Sequence, residues 1–315
     1  MNTRALSVCV VLAFAVAAFP LNPLAAEEGE RAKPAKATPE QLTIIKAVLE
    51  DLCHRGLQED ADSTYEKRIL GGEDLLQIGA PAVPYIVDAI NSGKTPFATK
   101  LSLVALLGQF GADQEADVTP ALCSMLQTWV TNTKYSRGGA KREVAGVTCC
   151  GVFVNLYSWS LLPCEAGRAL AHSADPRSVP TLIKVMTYCR PKADVFYTQE
   201  KKVDSAVFAS DVMTETAIAL AMIEDTDAKK FIDKCVVSSS PSLRAKANLG
   251  RTMSLLNENR KTAQEYLRKQ IDGERNTIAV NEYKKFFDRY CMTEQERKEE
   301  LEKLREKIRG TPNAE

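Results

Sequence analysis

A short phrase recurs along this chain: Ile78-Gly79-Ala80-Pro81-Ala82-Val83-Pro84-Tyr85-Ile86-Val87, then Asp117-Val118-Thr119-Pro120-Ala121-Leu122-Cys123, then Asp175-Pro176-Arg177-Ser178-Val179-Pro180-Thr181-Leu182-Ile183. Each copy sets a proline beside the first turn of an apolar helical stretch, where a missing N–H costs little because that donor has no intrahelical acceptor. Pro84 and Pro120 lie 36 residues apart. A period of this length marks one helical pair repeated and stacked, so the expected fold class is all-α. Stacked pairs spread their core along the chain and offer an extended binding surface. They bring no chemistry of their own.

The rest of the chain reads as helices around these phrases. Thr38-Pro39-Glu40-Gln41 starts a helix with an N-cap, a proline at N1 and a capping-box glutamine. An acidic linker over 56–62 and a helix over 63–78 follow. Repeat one pairs helix A (81–91) with helix B (96–109). Repeat two pairs 118–130 with Pro163 to Ala171, and repeat three pairs 178–189 with 205–223. A fourth unit covers 227–236 and 241–256. Three C-terminal helices, 260–271, 276–291 and 293–309, occupy 257–315, and Thr293-Glu294-Gln295-Glu296 is a capping box for the last. Small residues recur on the B helices at i, i+3 or i+4: Ala105 and Gly108, Gly167 and Ala171, Ala217 and Ala221, Ala247 and Gly250. They let neighbouring helices approach closely.

The phrase ending at Pro84 and its echo from Ala169 to Pro180 resemble the HEAT-repeat family, nearest to the short bacterial repeats related to those of phycobilin lyases. The resemblance covers residues 64–256 and, more weakly, the remainder. It implies a right-handed α-α superhelix, a HEAT-like solenoid over 39–256 with B helices on the concave face. The motif is a packing motif, so it implies little about function. One branch of the family attaches bilins, but no residue here matches a lyase site.

Residues 1–26 read as a signal peptide: a basic start at Arg4, an apolar run from Ala5 to Phe19, breaks at Pro20 and Pro23, and small residues at Ala25 and Ala26. Cleavage after Ala17 is the competing site. The apolar run is short for a bilayer, which needs about 20 residues. The expected location is exported, periplasmic or extracellular, with a flexible leader over 27–38 and no membrane span in the mature chain. Removal of 1–26 takes away Arg4 and no acid, leaving a net charge of −1. That balance argues against a dedicated nucleic-acid binder, whose affinity comes largely from excess cations.

Eight cysteines remain after cleavage, an even number that invites disulfides in an exported chain. Cys149, Cys150, Cys164 and Cys189 cluster around one insertion and are the expected place for a bridge. No C-x-x-C occurs, and the two histidines, His54 and His172, are not at ligand spacing, so no metal or cofactor is expected.

Two insertions carry the functional expectation. Residues 131–161 begin polar and turn apolar from Val144 to Trp159, a pattern that fits a long helix or a β-hairpin. Residues 190–204 form the second. Both join helix A to helix B and should project from one rim. They gather Lys134, Tyr135, Arg137, Lys141 and Arg142 in one and Arg190, Lys192, Phe196, Tyr197, Lys201 and Lys202 in the other. Arginine and aromatic side chains anchor interfaces, and concentrated cations steer an acidic partner. The expected site is Tyr135, Arg137, Arg142, Phe196 and Tyr197, with Arg244 and Arg251 from the next concave helix. The sequence lacks G-x-S-x-G, H-E-x-x-H, Walker A and G-x-G-x-x-G motifs. The expected function is a non-enzymatic scaffold that binds another protein. The alternative is an enzyme or lyase-accessory subunit with a cysteine or loop site at 131–190, which needs a reactive, low-pKa thiol.

Overall fold

The computed structural model describes residues 36–55, 72–112, 116–131, 154–198, 204–299 and 302. The described chain is all-α, with no strand among the described residues. In chain order the helices are α1 (Pro39–Arg55), α2 (Glu73–Ile78), α3 (Val83–Asn91), α4 (Phe97–Ala112), α5 (Thr119–Thr131), α6 (Val154–Ser173), α7 (Val179–Thr198), α8 (Asp204–Met222), α9 (Thr226–Val236), α10 (Pro241–Glu258), α11 (Arg260–Gly273) and α12 (Thr277–Phe286). A π-helix, Phe287–Cys291, extends α12.

The prolines work as their positions suggest. In the first and third phrases a 3-10 turn (Ala80–Ala82, Pro176–Ser178) leads straight into α3 or α7, with proline at the start of each piece. Both capping boxes form. The Thr38 N–H donates to Gln41 Oε1 at 2.9 Å and the Gln41 N–H to Thr38 Oγ1 at 3.2 Å. The Thr293 N–H donates to Glu296 Oε2 at 2.6 Å, and the Glu296 N–H to Thr293 Oγ1 at 3.1 Å.

Two prolines break the expected boundaries. Pro163, read as the start of a helix, lies inside α6, and Pro191, read as the start of a loop, lies inside α7. The segment 190–198 is therefore helix rather than loop. A helix-interior proline removes one backbone hydrogen bond and crowds the preceding turn. In α7 burial offsets that cost: Cys189, Ala193 and Tyr197 are buried on either side of the exposed Pro191. The structure also extends α6 back to Val154, so 154–161 are helical, while 132–153 lie outside the described residues.

Packing runs serially. The B helices form a row in which α6 packs on α4, α8 on α6 and α10 on α8. The A helices α5, α7 and α9 also contact in order. Helix α4 is buried almost all round from Leu101 to Phe110, as expected of a helix apolar on every face. Helix α8 is long and apolar enough to cross a membrane, but it packs at the centre of the row against α6, α7, α9 and α10. Close approach depends on missing side chains. A Cβ at Gly250 of α10 would stand 2.4 Å from the Ala217 carbonyl oxygen of α8, and one at Gly167 of α6 would stand 3.0 Å from Glu215 Cβ. The small residues at these positions therefore set helix spacing.

Hydrogen bonds fix the register of successive units. Thr119 Oγ1 at the start of α5 donates to Asp175 Oδ2 at 2.8 Å. Arg177 forks onto Asp117 at 2.7 and 3.0 Å and also bonds Asp175, so one guanidinium joins the second phrase to the third. Further along, Gln127 of α5 donates to Thr181 of α7 at 3.1 Å.

The core divides in two. One apolar cluster runs from Ile45 of α1 to Ala247 of α10. A second gathers Tyr197, Ala245, Leu249, Leu267, Ala279, Tyr283, Phe286 and Cys291 between the end of α7 and the C-terminal helices.

Candidate functional site

The second core brings together a group of polar side chains that includes expected site residues. Tyr197 is on the last turn of α7 and only 4% exposed. Its hydroxyl donates to Glu282 of α12. Lys246 of α10, 2% exposed, donates to both oxygens of the same carboxylate at 2.8 and 2.9 Å, and Ser210 of α8 donates to it at 3.4 Å. The Lys246 ammonium also lies 5.7 Å from the Tyr197 ring centroid. Glu282 therefore collects donors from α7, α8 and α10. Burial, and then the Glu282 charge, push the Tyr197 hydroxyl well above its usual range, so it keeps its proton and acts as a donor.

Neutral groups on α10, α11 and α12 also bond one another. Asn248 Nδ2 donates to the Tyr283 hydroxyl at 3.0 Å, and the Tyr266 hydroxyl donates to Asn248 Oδ1 at 2.5 Å. Arg251 lies over the Tyr266 ring at 6.0 Å and bonds Asp233. At the other end of α10, Arg244 forks onto Glu274 at 2.8 and 3.0 Å and donates to the Ser238 carbonyl at 2.7 Å. The Arg244 hydrogen bond holds the Glu274 carboxyl below the usual range. Asp194 of α7 accepts from Ser240 Oγ and Ser242 Oγ, both at 2.7 Å, and so braces the start of α10.

The expected binding residues are thus dispersed in role. Tyr197 is buried rather than presented, because α7 continues past Pro191 and carries it inward. Phe196 is half-buried and meets Tyr197 edge-to-face at 5.5 Å. Arg244 and Arg251 are each engaged by a carboxylate. Tyr135, Arg137 and Arg142, with Lys134 and Lys141, lie outside the described residues, as do Lys201 and Lys202. Lys246 and Glu282 were not legible as a pair. The available signal was a lysine among small residues, Ala245-Lys246-Ala247, on the packed stripe of a B helix.

The cysteines divide similarly. Cys164 and Cys189 are free thiols buried in α6 and α7, so they do not pair with each other, while Cys149 and Cys150 lie outside the described residues. All six described thiols are pushed up by burial: Cys53 and Cys123 above the ordinary value, Cys164 well above it, Cys189 to about 12, and Cys235 and Cys291 to about 11. Among the described residues no three His, Cys, Asp or Glu side chains gather as a metal site.

A second, partly buried charge group sits between α6 and α8. Arg168 bonds the fully buried Glu165 at 3.1 Å and Glu215 at 2.8 Å. Like the Lys246 pair, it joins helices.

No family model, curated protein or solved structure matches the chain.

Proposed function

We propose that this chain is an exported, non-enzymatic scaffold, a HEAT-like right-handed solenoid that holds another protein. The observation that carries the reading is serial packing, α4 to α6 to α8 to α10, with charges that tie α6 to α8 and α10 to the C-terminal α12. An interior used in this way supports an extended binding surface. The enzyme alternative needs a thiol poised as thiolate, and the six described thiols shift in the opposite direction.

We assign the partner contacts to Tyr135, Arg137, Arg142 and Phe196, with Arg244 and Arg251 of α10 each held by a carboxylate. Capture from the extracytoplasmic fraction tests this. Replacing Tyr135, Arg137, Arg142 and Phe196 by alanine should leave the circular dichroism spectrum unchanged and abolish recovery of the partner. Recovery equal to wild type would place the site elsewhere. A thiol that reacts with iodoacetamide at neutral pH faster than free cysteine would overturn the non-enzymatic reading.

A further inference from the structure

The end of the chain's second core carries an arrangement that the scaffold reading does not use. Arg260, Gln264 and Arg268 stand at i, i+4 and i+8 on α11 and share one face, which meets the π-helix. Arg260 donates to the carbonyls of Tyr290 and Cys291 at 3.1 and 3.2 Å, and Gln264 donates to that of Cys291 at 2.9 Å. Arg297 donates to the carbonyls of Arg289 and Met292 at 3.3 and 3.2 Å. These bonds satisfy the acceptors at the end of the π-helix, a geometry frequent at functional sites.

The two other arginines sit on rings. Arg268 lies 5.0 Å over Phe287, and Arg289 lies 5.2 Å over Tyr290, which itself packs at 4.7 Å on Phe286. All four arginines are exposed, and among the described residues none has a carboxylate within ion-pair distance. Tyr290 is 37% exposed, one of few large apolar side chains so presented among the described residues. The exposed acids on these two elements are Glu265 and Asp272 on α11 and Asp288 in the π-helix, while Glu296 already accepts from Gln264 and from the Thr293 N–H.

We propose that this arginine–aromatic patch, Arg260, Arg268, Phe287, Arg289, Tyr290 and Arg297, is a docking surface for an acidic segment of a partner protein. A guanidinium stacked on a ring is covered on its face, and its N–H edge remains available to take a carboxylate side-on. Stacking also holds the side chain in place, so less freedom is lost on binding. Tyr290 and Phe287 supply the apolar anchor beside the charges. Four exposed guanidiniums with no ion-pair partner among the described residues match a short acidic peptide. Nucleic acid draws its affinity from many phosphate contacts, and a membrane surface from a larger basic cluster. The proposal rests on the scaffold reading for the class of partner alone.

The test uses the full chain and a fluorescein-labelled Glu/Asp-rich peptide carrying one leucine, followed by anisotropy. Arg268→Glu with Arg289→Glu leaves the π-helix caps, Arg260 and Arg297, in place. Lys229→Glu with Lys234→Glu, exposed on α9, makes the same charge change elsewhere. Salt-sensitive binding that falls at least about tenfold in the first variant and less than about twofold in the second is the expected result, with both variants melting like wild type. No binding by wild type, or equal loss in both variants, overturns the proposal. So does binding of phosphatidylglycerol vesicles or single-stranded DNA, rather than the peptide, that depends on Arg268 and Arg289. Any of these outcomes leaves the capture experiment at Tyr135, Arg137, Arg142 and Phe196 to be read separately.

Discussion

The repeat rows and the C-terminal region solve the same packing problem with different chemistry. Between α8 and α10 the rows come together where side chains are missing, with Gly250 seated on the Ala217 carbonyl. The C-terminal region binds α12 to α7, α8 and α10 through one carboxylate, Glu282, with its lysine, tyrosine and serine donors. The first solution tolerates no added volume. The second tolerates no lost partner, because a buried charge left alone keeps its desolvation penalty.

The largest expected effect follows from that asymmetry. Lys246→Met should cost about 3–5 kcal/mol in urea unfolding, and adding Glu282→Leu should restore most of it, since an apolar pair of similar volume replaces a buried ion pair at little cost. Failure of the second change to rescue the first would show that Glu282 holds the helices through Tyr197 and Ser210 instead. Gly250→Ala, on the repeat side, should cost about 1–3 kcal/mol by overpacking, a loss that no companion charge change recovers.

The thiols report on the two regions separately. Cys189 and Cys235 belong to the first core and Cys291 to the second. Lys246→Met should speed alkylation of Cys291 and leave Cys189 slow. Equal acceleration would mean that the two cores open as one. Alkali acts on both. Burial holds these thiols protonated to about 12, about 11 and about 11 when folded, against an ordinary thiol value of 9.0. Above pH 9 the unfolded chain ionises first, so stability should fall as pH rises from 9 toward 12, and replacing the three cysteines by alanine should flatten that slope. The smallest effect is expected at the surface. Arg177→Ala should change unfolding by about 0–1 kcal/mol, because the guanidinium and Asp117 are both well exposed.

Much of the repeat region was legible because its signals are local. Proline at N1, the Thr38–Gln41 box and the spacing of Gly167, Ala217 and Gly250 each depend on residues within a few turns. The local signals mislead where a distant contact overrides them. Pro191 reads as a stop, yet α7 continues because Ala193 and Tyr197 find burial and Tyr197 finds Glu282, 85 residues away. Phe196 and Tyr197 therefore read together as loop aromatics, although one lies at the edge and the other inside. Nothing near Lys246 names Glu282 as its partner. The basic stretch at Tyr135, Arg137 and Arg142 remains an assignment from sequence, outside the described residues.

The Asp175–Arg177 clamp has a consequence for how such a chain can change. Helix α5 is tied to the following unit at its start, through Thr119 and Asp175, and again through Gln127 and Thr181. Besides its packing on α6, its position is held by these bonds to the unit beyond, and neither depends on the length of chain leading to α6. Closing a longer connection costs only a slowly growing entropy. The stretch between α5 and α6 is thus free to lengthen, shorten or exchange its residues while the stack holds its register, so new recognition can be tried there without refolding the frame.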